Sequence, residues 1–254
     1  DIWRTNIGKD PLIGVSMTGI ASGRVLGYNM TEAAIIVKEE NKRIAKLIGI
    51  NKSSRCTTVK PAGTTSLALG TSSGIHAWHN DYYIRRIKVG KNEAIYSYLL
   101  ENHPTLLEDD LERTYDTAWI CSPQKAPDGS IYRNESAFNL LERIKKVARE
   151  WVKAGHRTGS NTHNVSATIS LKDNDWDLVG EWMWENRKDY NGLAIFPFYD
   201  SSHPQLPFED ITKKTYNKLI KSLNKVDLSE IKEIADETNL TGELACAGGA
   251  CEVK

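Results

Sequence analysis

The sequence predicts an α/β fold, in which short apolar strands alternate with amphipathic helices along the chain. Two kinds of segment indicate this: β-prone runs such as Cys56–Lys60 and Gly192–Phe198, and apolar residues at helical spacing between Ser136 and Trp151. Strands separated by helices favour parallel pairing through βαβ units. The length of 254 residues, with 40% apolar and 26% charged residues, is ordinary for a globular protein.

The first half of the chain begins with the apolar, glycine-containing run Ile13–Ile20. This run predicts a buried strand end or a loop packed against a helix. Thr31 is the expected cap of a helix that continues to about Ile48, because apolar residues recur there at helical spacing. Three further strands are predicted in this half: Cys56–Lys60, which stops at Pro61, Ile84–Val89 and Thr117–Cys121.

The second half opens with a long amphipathic helix that begins after Ser136, continues to Trp151 and stops before Gly155. The remaining predicted elements are strands at Asn164–Leu171 and Gly192–Phe198, helices capped by Asp175 and Thr212, and a short polar helix at Asp227–Ala235. No internal domain boundary is visible. Residues 1–236 are therefore expected to form one folded portion, and residues 237–254 a flexible tail.

Charge and composition exclude several classes of function. The 33 basic and 33 acidic residues give zero formal net charge, so there is no electrostatic case for binding nucleic acid or an anionic membrane surface. No run approaches the roughly 20 apolar residues of a membrane span, and no signal peptide is visible. We therefore expect a cytoplasmic protein. The first residue is Asp1 rather than methionine, which favours part of a longer polypeptide.

The most informative motif is the cysteine pair Cys246 and Cys251, which four small residues separate near the end of the sequence. A zinc knuckle usually spaces its cysteines more tightly and needs two more ligands nearby. The intervening glycines permit a tight turn, so the two sulfurs can meet. The pattern favours a redox-active dithiol that opens and closes a disulfide. A tail with incidental cysteines and half of a metal site remain as alternatives.

A second motif is a candidate phosphate loop. The strand Cys56–Lys60 runs into a loop of small and hydroxyl residues, after which a helical turn begins at Leu67. A strand, a small-residue loop and a helix together present free backbone N–H groups to an anion. We therefore expect phosphate binding by the following residues: Pro61, Ala62, Gly63, Thr64, Thr65 and Ser66. The loop is not a Walker motif, since no Gly-Lys-Ser/Thr follows, and many such junctions bind nothing.

Two histidines, His76 and His79, lie three residues apart, as metal ligands often do. No third ligand is near them in sequence, so a role in loop packing is favoured over a metal site. Cys121 is predicted to be a buried strand residue. No metal site is predicted.

Several long blocks, taken together, resemble the C-terminal part of adenosylcobalamin-dependent (class II) ribonucleotide reductases, most closely the monomeric ribonucleoside-triphosphate reductase type. The blocks occur in the same order as in that family and extend over nearly the whole chain. They are Ile13–Gly19, Thr57–Thr64, Gly74–His76, Tyr82–Arg86, Lys125–Gly129, Gly155–Ile169, Gly180–Arg187, Tyr190–Gly192 and Phe196–Phe198, with the terminal pair Cys246 and Cys251.

The resemblance implies the C-terminal part of a ten-stranded α/β barrel that converts ribonucleotides to 2′-deoxyribonucleotides by radical chemistry. It implies that Pro61–Ser66 helps to hold the substrate's phosphates, although Ala62 replaces a serine that is common there. It also implies that Cys246 and Cys251 re-reduce an active-site disulfide and are themselves reduced by a thioredoxin-type protein. Adenosylcobalamin would be the cofactor, with most of its site outside this chain.

One departure from the family limits these implications. The Asn-x-Cys-x-Glu pattern around the family's thiyl radical cysteine is absent here, and neither Cys56 nor Cys121 lies in such a pattern. The chain is therefore expected to be inactive without an N-terminal portion of the reductase. The alternative is a nucleotide-binding or thiol-redox accessory module without reductase activity, and an N-terminal partner carrying that pattern would separate the two.

Overall fold

The computed structural model describes residues 2–159, 161–198, 204–223 and 225–232. The described strands are β1 Leu12–Ser16, β2 Arg55–Thr58, β3 Tyr82–Gly90, β4 Leu107–Asp109, β5 Thr117–Lys125, β6 Thr168–Leu171, β7 Ala194–Pro197 and β8 Phe208–Asp210. The described α-helices are α1 Ile2–Lys9, α2 Met30–Ile48, α3 Gly63–Ala68, α4 Ala94–Asn102, α5 Ala137–Val147, α6 Trp176–Glu185 and α7 Lys213–Ser222. A π-helix, Ala148–Lys153, continues α5, and short 3₁₀ turns occur at Ile20–Ser22, Arg24–Gly27, Pro104–Leu106 and Leu228–Glu230.

These elements form two compact units. The parallel unit consists of the described residues within 1–78 and 128–200, and the antiparallel unit of those within 79–127 and 201–254. The sequence shows no sign of this division. The predicted extents of 1–236 and 237–254 remain a prediction, and residues 233–254 lie outside the described part of the chain.

The parallel unit contains the predicted parallel strands. β1 pairs with β2 in parallel, and β6 pairs with β7 in parallel. A parallel bridge between Val59 and Val165 joins the two pairs, so the strands follow one another in the order β1, β2, β6, β7. A helix lies between each consecutive pair along the chain, as βαβ connections require. The fold is therefore mixed α/β.

The core of the parallel unit lies where α5 packs against β2 and β6. Its members share nearly complete burial and apolar character, which makes hydrophobic burial the main stabilising term. They include Val59, Leu141, Ile144, Val147, Val165 and Ile169. The predicted helical spacing is confirmed for Leu141, Ile144 and Val147, whereas Phe138 is exposed.

The long helix predicted from Ser136 is not regular throughout. It begins at the predicted cap, where the Ser136 side chain accepts the Asn139 N–H, but becomes a π-helix after Val147. Thr57 Oγ1 donates to the Trp151 carbonyl at 2.7 Å, and Trp151 Nε1 donates to the Thr58 carbonyl at 3.0 Å. Contacts with β2 thus satisfy polar groups of the wider turn. They are distant in sequence, so periodicity could not reveal them.

Of the other three predicted helix caps, two are wrong and one is confirmed. Asn29, not Thr31, caps α2, because its side-chain oxygen accepts the Glu32 N–H. Asp175 occupies the N-cap position of α6, but its carboxylate accepts the Lys172 N–H and makes no hydrogen bond to the helix. Thr212 caps α7 as predicted. Asn, Asp, Ser and Thr compete for local backbone donors, so neighbouring candidates are hard to separate from sequence.

The antiparallel unit has strand order β4, β5, β3, β8. β3 and β5 pair along their whole lengths, from Tyr82 opposite Lys125 to Gly90 opposite Thr117. Arg86 of β3 is buried and forms ion pairs with Glu108 and Glu209. Antiparallel pairing here differs from the parallel sheet that the sequence predicted for the whole chain. No described helix is long and apolar enough to cross a membrane.

Candidate functional site

The candidate phosphate loop lies at the C-terminal end of β2, as the sequence predicts. Three residues beyond β2 the chain reaches Pro61, and α3 begins at Gly63, four residues before the predicted start at Leu67. Pro61, Ala62 and Gly63 are half-buried and Thr65 is exposed. Ligands of parallel α/β sheets gather beyond the carboxyl ends of the strands. The loop therefore has the strand–loop–helix geometry expected of an anion site.

The backbone amides of the loop differ in what they bind. The Ala62 N–H donates to Ser73 Oγ at 2.9 Å, and the Ser66 N–H donates to the Ala62 carbonyl. The amides of residues 63–65 belong to the first turn of α3, where no intrahelical acceptor exists. A Cβ built on Gly63 would meet no atom within 4 Å, so the space beside this amide is open. These amides are available to an anion.

The hydroxyl groups of the loop are not equivalent. Ser66 is buried, and its Oγ donates to the Gly63 carbonyl at 2.9 Å, so this hydroxyl stabilises the turn. Thr65 is exposed. The side chain of Thr64 lies outside the described part of the structure. Of the two predicted hydroxyl donors whose side chains are described, Thr65 and Ser66, the geometry favours Thr65.

A second loop, Thr71–His76, supports the first. Thr18 Oγ1 donates to the Ser72 carbonyl and accepts the Gly74 N–H, both at 2.9 Å. Gly74 has φ 56°, and a Cβ there would lie 2.9 Å from the Lys60 carbonyl oxygen. Only glycine combines this positive φ with so close an approach. The second loop is therefore fixed against the residues that lead into the phosphate loop.

A cation lies next to the loop. Lys60 immediately precedes Pro61, its side chain is exposed, and its Nζ lies 3.5 Å from Ser166 Oγ. The Lys60 N–H donates to Ser16 Oγ, which anchors the backbone at this point to β1. The sequence analysis did not single out Lys60. Its position directly before a small-residue loop was the available signal.

The two histidines have separate environments. In the parallel unit, His76 Nδ1 lies 3.2 Å from the Ser73 carbonyl and His76 Nε2 lies 3.1 Å from the Thr168 amide nitrogen. In the antiparallel unit, His79 stacks on Phe208, and its Nε2 lies 3.0 Å from Asp210. The predicted loop-packing role is confirmed for His76. Among the described residues, no three His, Cys, Asp or Glu side chains form a group that could hold a metal.

The predicted redox pair, Cys246 and Cys251, lies outside the described residues, and its role remains a prediction. The other two cysteines are free and buried. Burial and, to a smaller extent, the nearby Glu108 carboxylate raise the pKa of the Cys121 thiol to about 12. A thiol with so high a pKa carries almost no thiolate at neutral pH and is a poor nucleophile. The burial predicted for Cys121 is confirmed.

Comparisons with known proteins give two consistent results, although no protein-family model matches the chain. The chain resembles a solved structure described as B12-dependent (class II) ribonucleotide reductase, with a TM-score of 0.71 and 23% identity over 87% of this chain and 34% of the other. That likeness establishes the fold class.

The sequence relatives are adenosylcobalamin-dependent ribonucleoside-triphosphate reductases, which confirms the resemblance seen in the sequence. The protein from Lactobacillus delbrueckii subsp. bulgaricus is 26% identical over 100% of this chain and 38% of the relative. The Lactobacillus acidophilus protein is 28% identical over 84% of this chain and 28% of the relative. The Euglena gracilis protein is 26% identical over 94% of this chain and 33% of the relative. The chain thus spans less than two fifths of the length of these relatives.

The open cleft near α1 does not fit adenosylcobalamin. This cleft of about 470 Å³ is lined by small and polar residues: Asn6, Lys9, Asp10, Ser54, Thr158 and Gly159. A corrin ring presents a broad and largely apolar face, which this lining does not match. Because the chain covers only part of its relatives, most of a cobalamin site would lie elsewhere, as the sequence analysis expected.

Proposed function

We propose that this chain is part of an adenosylcobalamin-dependent ribonucleotide reductase that converts ribonucleotides to 2′-deoxyribonucleotides. The observation that carries the proposal is a similarity to such reductases that extends over the entire chain. The fold likeness to a class II reductase supports it independently. In the complete enzyme, the N-terminal portion would supply the radical-bearing cysteine and most of the cofactor site.

Exposed apolar side chains support the proposal that this chain forms part of the reductase barrel. Leu12 and Ile13 on β1 and Phe196 on β7 are all more than two fifths exposed, and these two strands lie at the edges of the described parallel strands. Apolar side chains on open sheet edges are a liability unless other strands or chains cover them. In a ten-stranded barrel, further strands of the reductase would pair with β1 and β7.

The chain's first contribution is to hold the substrate's phosphates. The amides of residues 63–65 point their positive ends out of α3, and Lys60, which directly precedes Pro61 in the sequence, contributes a positive charge to this part of the chain. Hydrogen bonds to a charged group contribute about 1.5–3 kcal/mol each. Two or three such bonds would fix the phosphate end of the nucleotide and so place its ribose within the barrel.

The second contribution is the tail dithiol. A thiolate of the pair Cys246 and Cys251 would attack the disulfide that forms in the active site at each turnover. This gives a mixed disulfide and releases one active-site thiolate. Attack by the second tail thiol closes a tail disulfide and frees the other active-site thiol. A thioredoxin-type protein then supplies the two electrons that reduce the tail again.

The first test concerns activity. We expect no deoxyribonucleotide from the purified 254-residue chain with ribonucleoside triphosphate, adenosylcobalamin and dithiothreitol. No cysteine of this chain lies in an Asn-x-Cys-x-Glu pattern, which the family needs for radical chemistry. Adding an N-terminal portion that carries the pattern should restore turnover, measured as deoxyribonucleotide formed. Turnover by the chain alone contradicts the prediction, and inactivity of the assembled pair favours an accessory module.

The second test concerns the phosphate loop. Gly63→Val should weaken nucleotide binding by the complete reductase about tenfold or more, because the branched side chain fills the space beside the free amides. The fold should tolerate it, since a Cβ at Gly63 meets nothing within 4 Å. Gly27→Val is the matched control, since a Cβ at Gly27 likewise meets no atom within 4 Å. Equal affinity of both variants, measured by calorimetry, argues against the loop as the phosphate site.

A further inference from the structure

A buried ion pair contacts the Thr71–His76 loop, which supports the phosphate loop. Arg143 on α5 binds Glu135 with both ends of its guanidinium, and the two side chains are 5% and 10% exposed. Arg143 Nε and Nη2 also donate to the Ile75 carbonyl, each at 3.3 Å. A buried pair is costly unless its remaining donors are used. The remaining donors of Arg143 hold the backbone of the Thr71–His76 loop at one point, the Ile75 carbonyl.

His76 holds the same loop at a second point. The Thr168 N–H points at His76 Nε2 over 3.1 Å, so this nitrogen must be an unprotonated acceptor. The proton of the neutral ring therefore lies on Nδ1, which donates to the Ser73 carbonyl at 3.2 Å. A protonated ring would set an N–H against the Thr168 N–H. Only the neutral ring can join the second loop to the start of β6.

The contact that connects these groups to the phosphate loop is Ser73. Its carbonyl accepts from the His76 ring and from the His76 backbone N–H, and its Oγ accepts the Ala62 N–H at 2.9 Å. Ala62 is the residue before the first free amide of the site. An unbroken series of hydrogen bonds therefore runs from β6 through His76 and Ser73 to the beginning of α3.

We propose that neutral His76, supported by the Arg143–Glu135 pair, is a positioning residue that holds the Pro61–Ser66 loop ready for an anion and releases it when the ring is protonated. The inference rests on the proposed phosphate-binding function of the loop. His76 contacts no substrate in this scheme. It acts through Ser73 and Ala62, and the ligand is the polyphosphate group of a nucleotide.

The direction of the pH dependence follows from the groups that face the ring. Burial is the largest effect and lowers the pKa of His76 from its usual 6.5; the hydrogen bond to the Ser73 carbonyl and the Glu135 carboxylate oppose this, and Arg143 adds to it. Above pH 6.5 the ring is neutral whether the loop is held or released. As the pH falls below 6.5, the released form takes up a proton first, so the held form loses stability until its own lowered pKa is reached. Phosphate binding should therefore weaken in acid.

The test compares His76→Ala and His76→Gln with His156→Gln, a control in the same unit whose ring Nε2 lies 2.8 Å from the nearby Gly159 carbonyl oxygen. In the 254-residue chain, hydrogen exchange of the segment 61–66 should become faster in His76→Ala and stay unchanged in the control. Calorimetry with inorganic tripolyphosphate should show about tenfold weaker binding for His76→Ala, the loss of roughly one good hydrogen bond.

The acid dependence gives the readout that a merely structural role would not change. Tripolyphosphate itself titrates, so the wild type and the control should both show its titration plus an additional loss of affinity in acid. His76→Gln keeps an acceptor for the Thr168 N–H but has no titratable ring, and should show the ligand's titration alone. An acid profile that is the same in His76→Gln and in the wild type overturns the proposal.

The outcomes also separate this inference from the proposed function. If Gly63→Val abolishes tripolyphosphate binding while His76→Ala binds normally, the loop is the phosphate site and the positioning role is wrong. If the wild-type chain binds no tripolyphosphate, the loop assignment fails, and hydrogen exchange alone decides the positioning role. Unchanged exchange of the segment 61–66 in His76→Ala overturns it, and faster exchange supports it.

Discussion

Replacing Gly155 by alanine is expected to destabilise the parallel unit by about 3 kcal/mol, near the upper end of the usual cost of overpacking a core. A Cβ at this position would lie 1.8 Å from Thr57 Oγ1 and 2.6 Å from Thr57 Cγ2. Thr57 cannot move away freely, because its Oγ1 holds the Trp151 carbonyl of the π-helix at 2.7 Å. The substitution therefore forces β2 and the π-helix apart. Urea unfolding of the chain measures the effect.

Two further variants make this prediction specific. Gly180→Ala should be neutral or stabilise the chain by up to about 1 kcal/mol, since it lies within α6 and a Cβ there meets nothing within 4 Å. Thr57→Ala combined with Gly155→Ala should cost less than the sum of the single changes, because two of the three clashing atoms are gone. Additive costs, or a Gly155→Ala chain as stable as the wild type, would refute the close-packing argument.

The sequence predicted those parts of the fold whose determinants are local. The helix from Ser136 to Val147 has its cap and its apolar spacing within a dozen residues, and both are confirmed. The π-helix that follows depends on Thr57, a residue 94 positions away, and no local pattern encodes it. The antiparallel pairing of β3 with β5 is likewise non-local. β-prone runs indicate strands but not their partners.

The same distinction applies to the candidate site. The Pro61–Ser66 loop could be predicted because a strand, small residues and a helix follow one another directly in the sequence. The contacts that support this loop could not be predicted. The Ala62 N–H donates to Ser73 Oγ, and His76 Nε2 accepts from the Thr168 N–H, which is 92 residues away in the sequence. The Gly74-Ile-His76 block was visible as a resemblance, but its neutral-histidine contact required the structure. The assignment of Cys246 and Cys251 rests on sequence alone.

Replacing both Cys246 and Cys251 by serine in the complete reductase is expected to stop multiple turnover with a thioredoxin-type reductant and to leave the first turnover intact. The first turnover consumes only the reduced active-site thiols, whereas later ones need electrons carried inward. The segment Glu237–Ala245 that precedes the pair has nine residues. As an extended chain it would reach about 30 Å, at about 3.3 Å per residue. That reach is enough for one dithiol to meet both a buried disulfide and an external protein.

Comparing the two reductants distinguishes loss of electron transfer by the tail dithiol from damage to the active site. Dithiothreitol is small enough to enter the site directly, so it should restore turnover of the double variant at least in part. Cys121→Ala is the matched control, because this buried thiol, with its pKa raised to about 12, cannot take part in exchange at neutral pH. It should turn over normally with either reductant. If the double variant also turns over normally with the protein reductant, the pair carries no electrons, and its spacing is incidental.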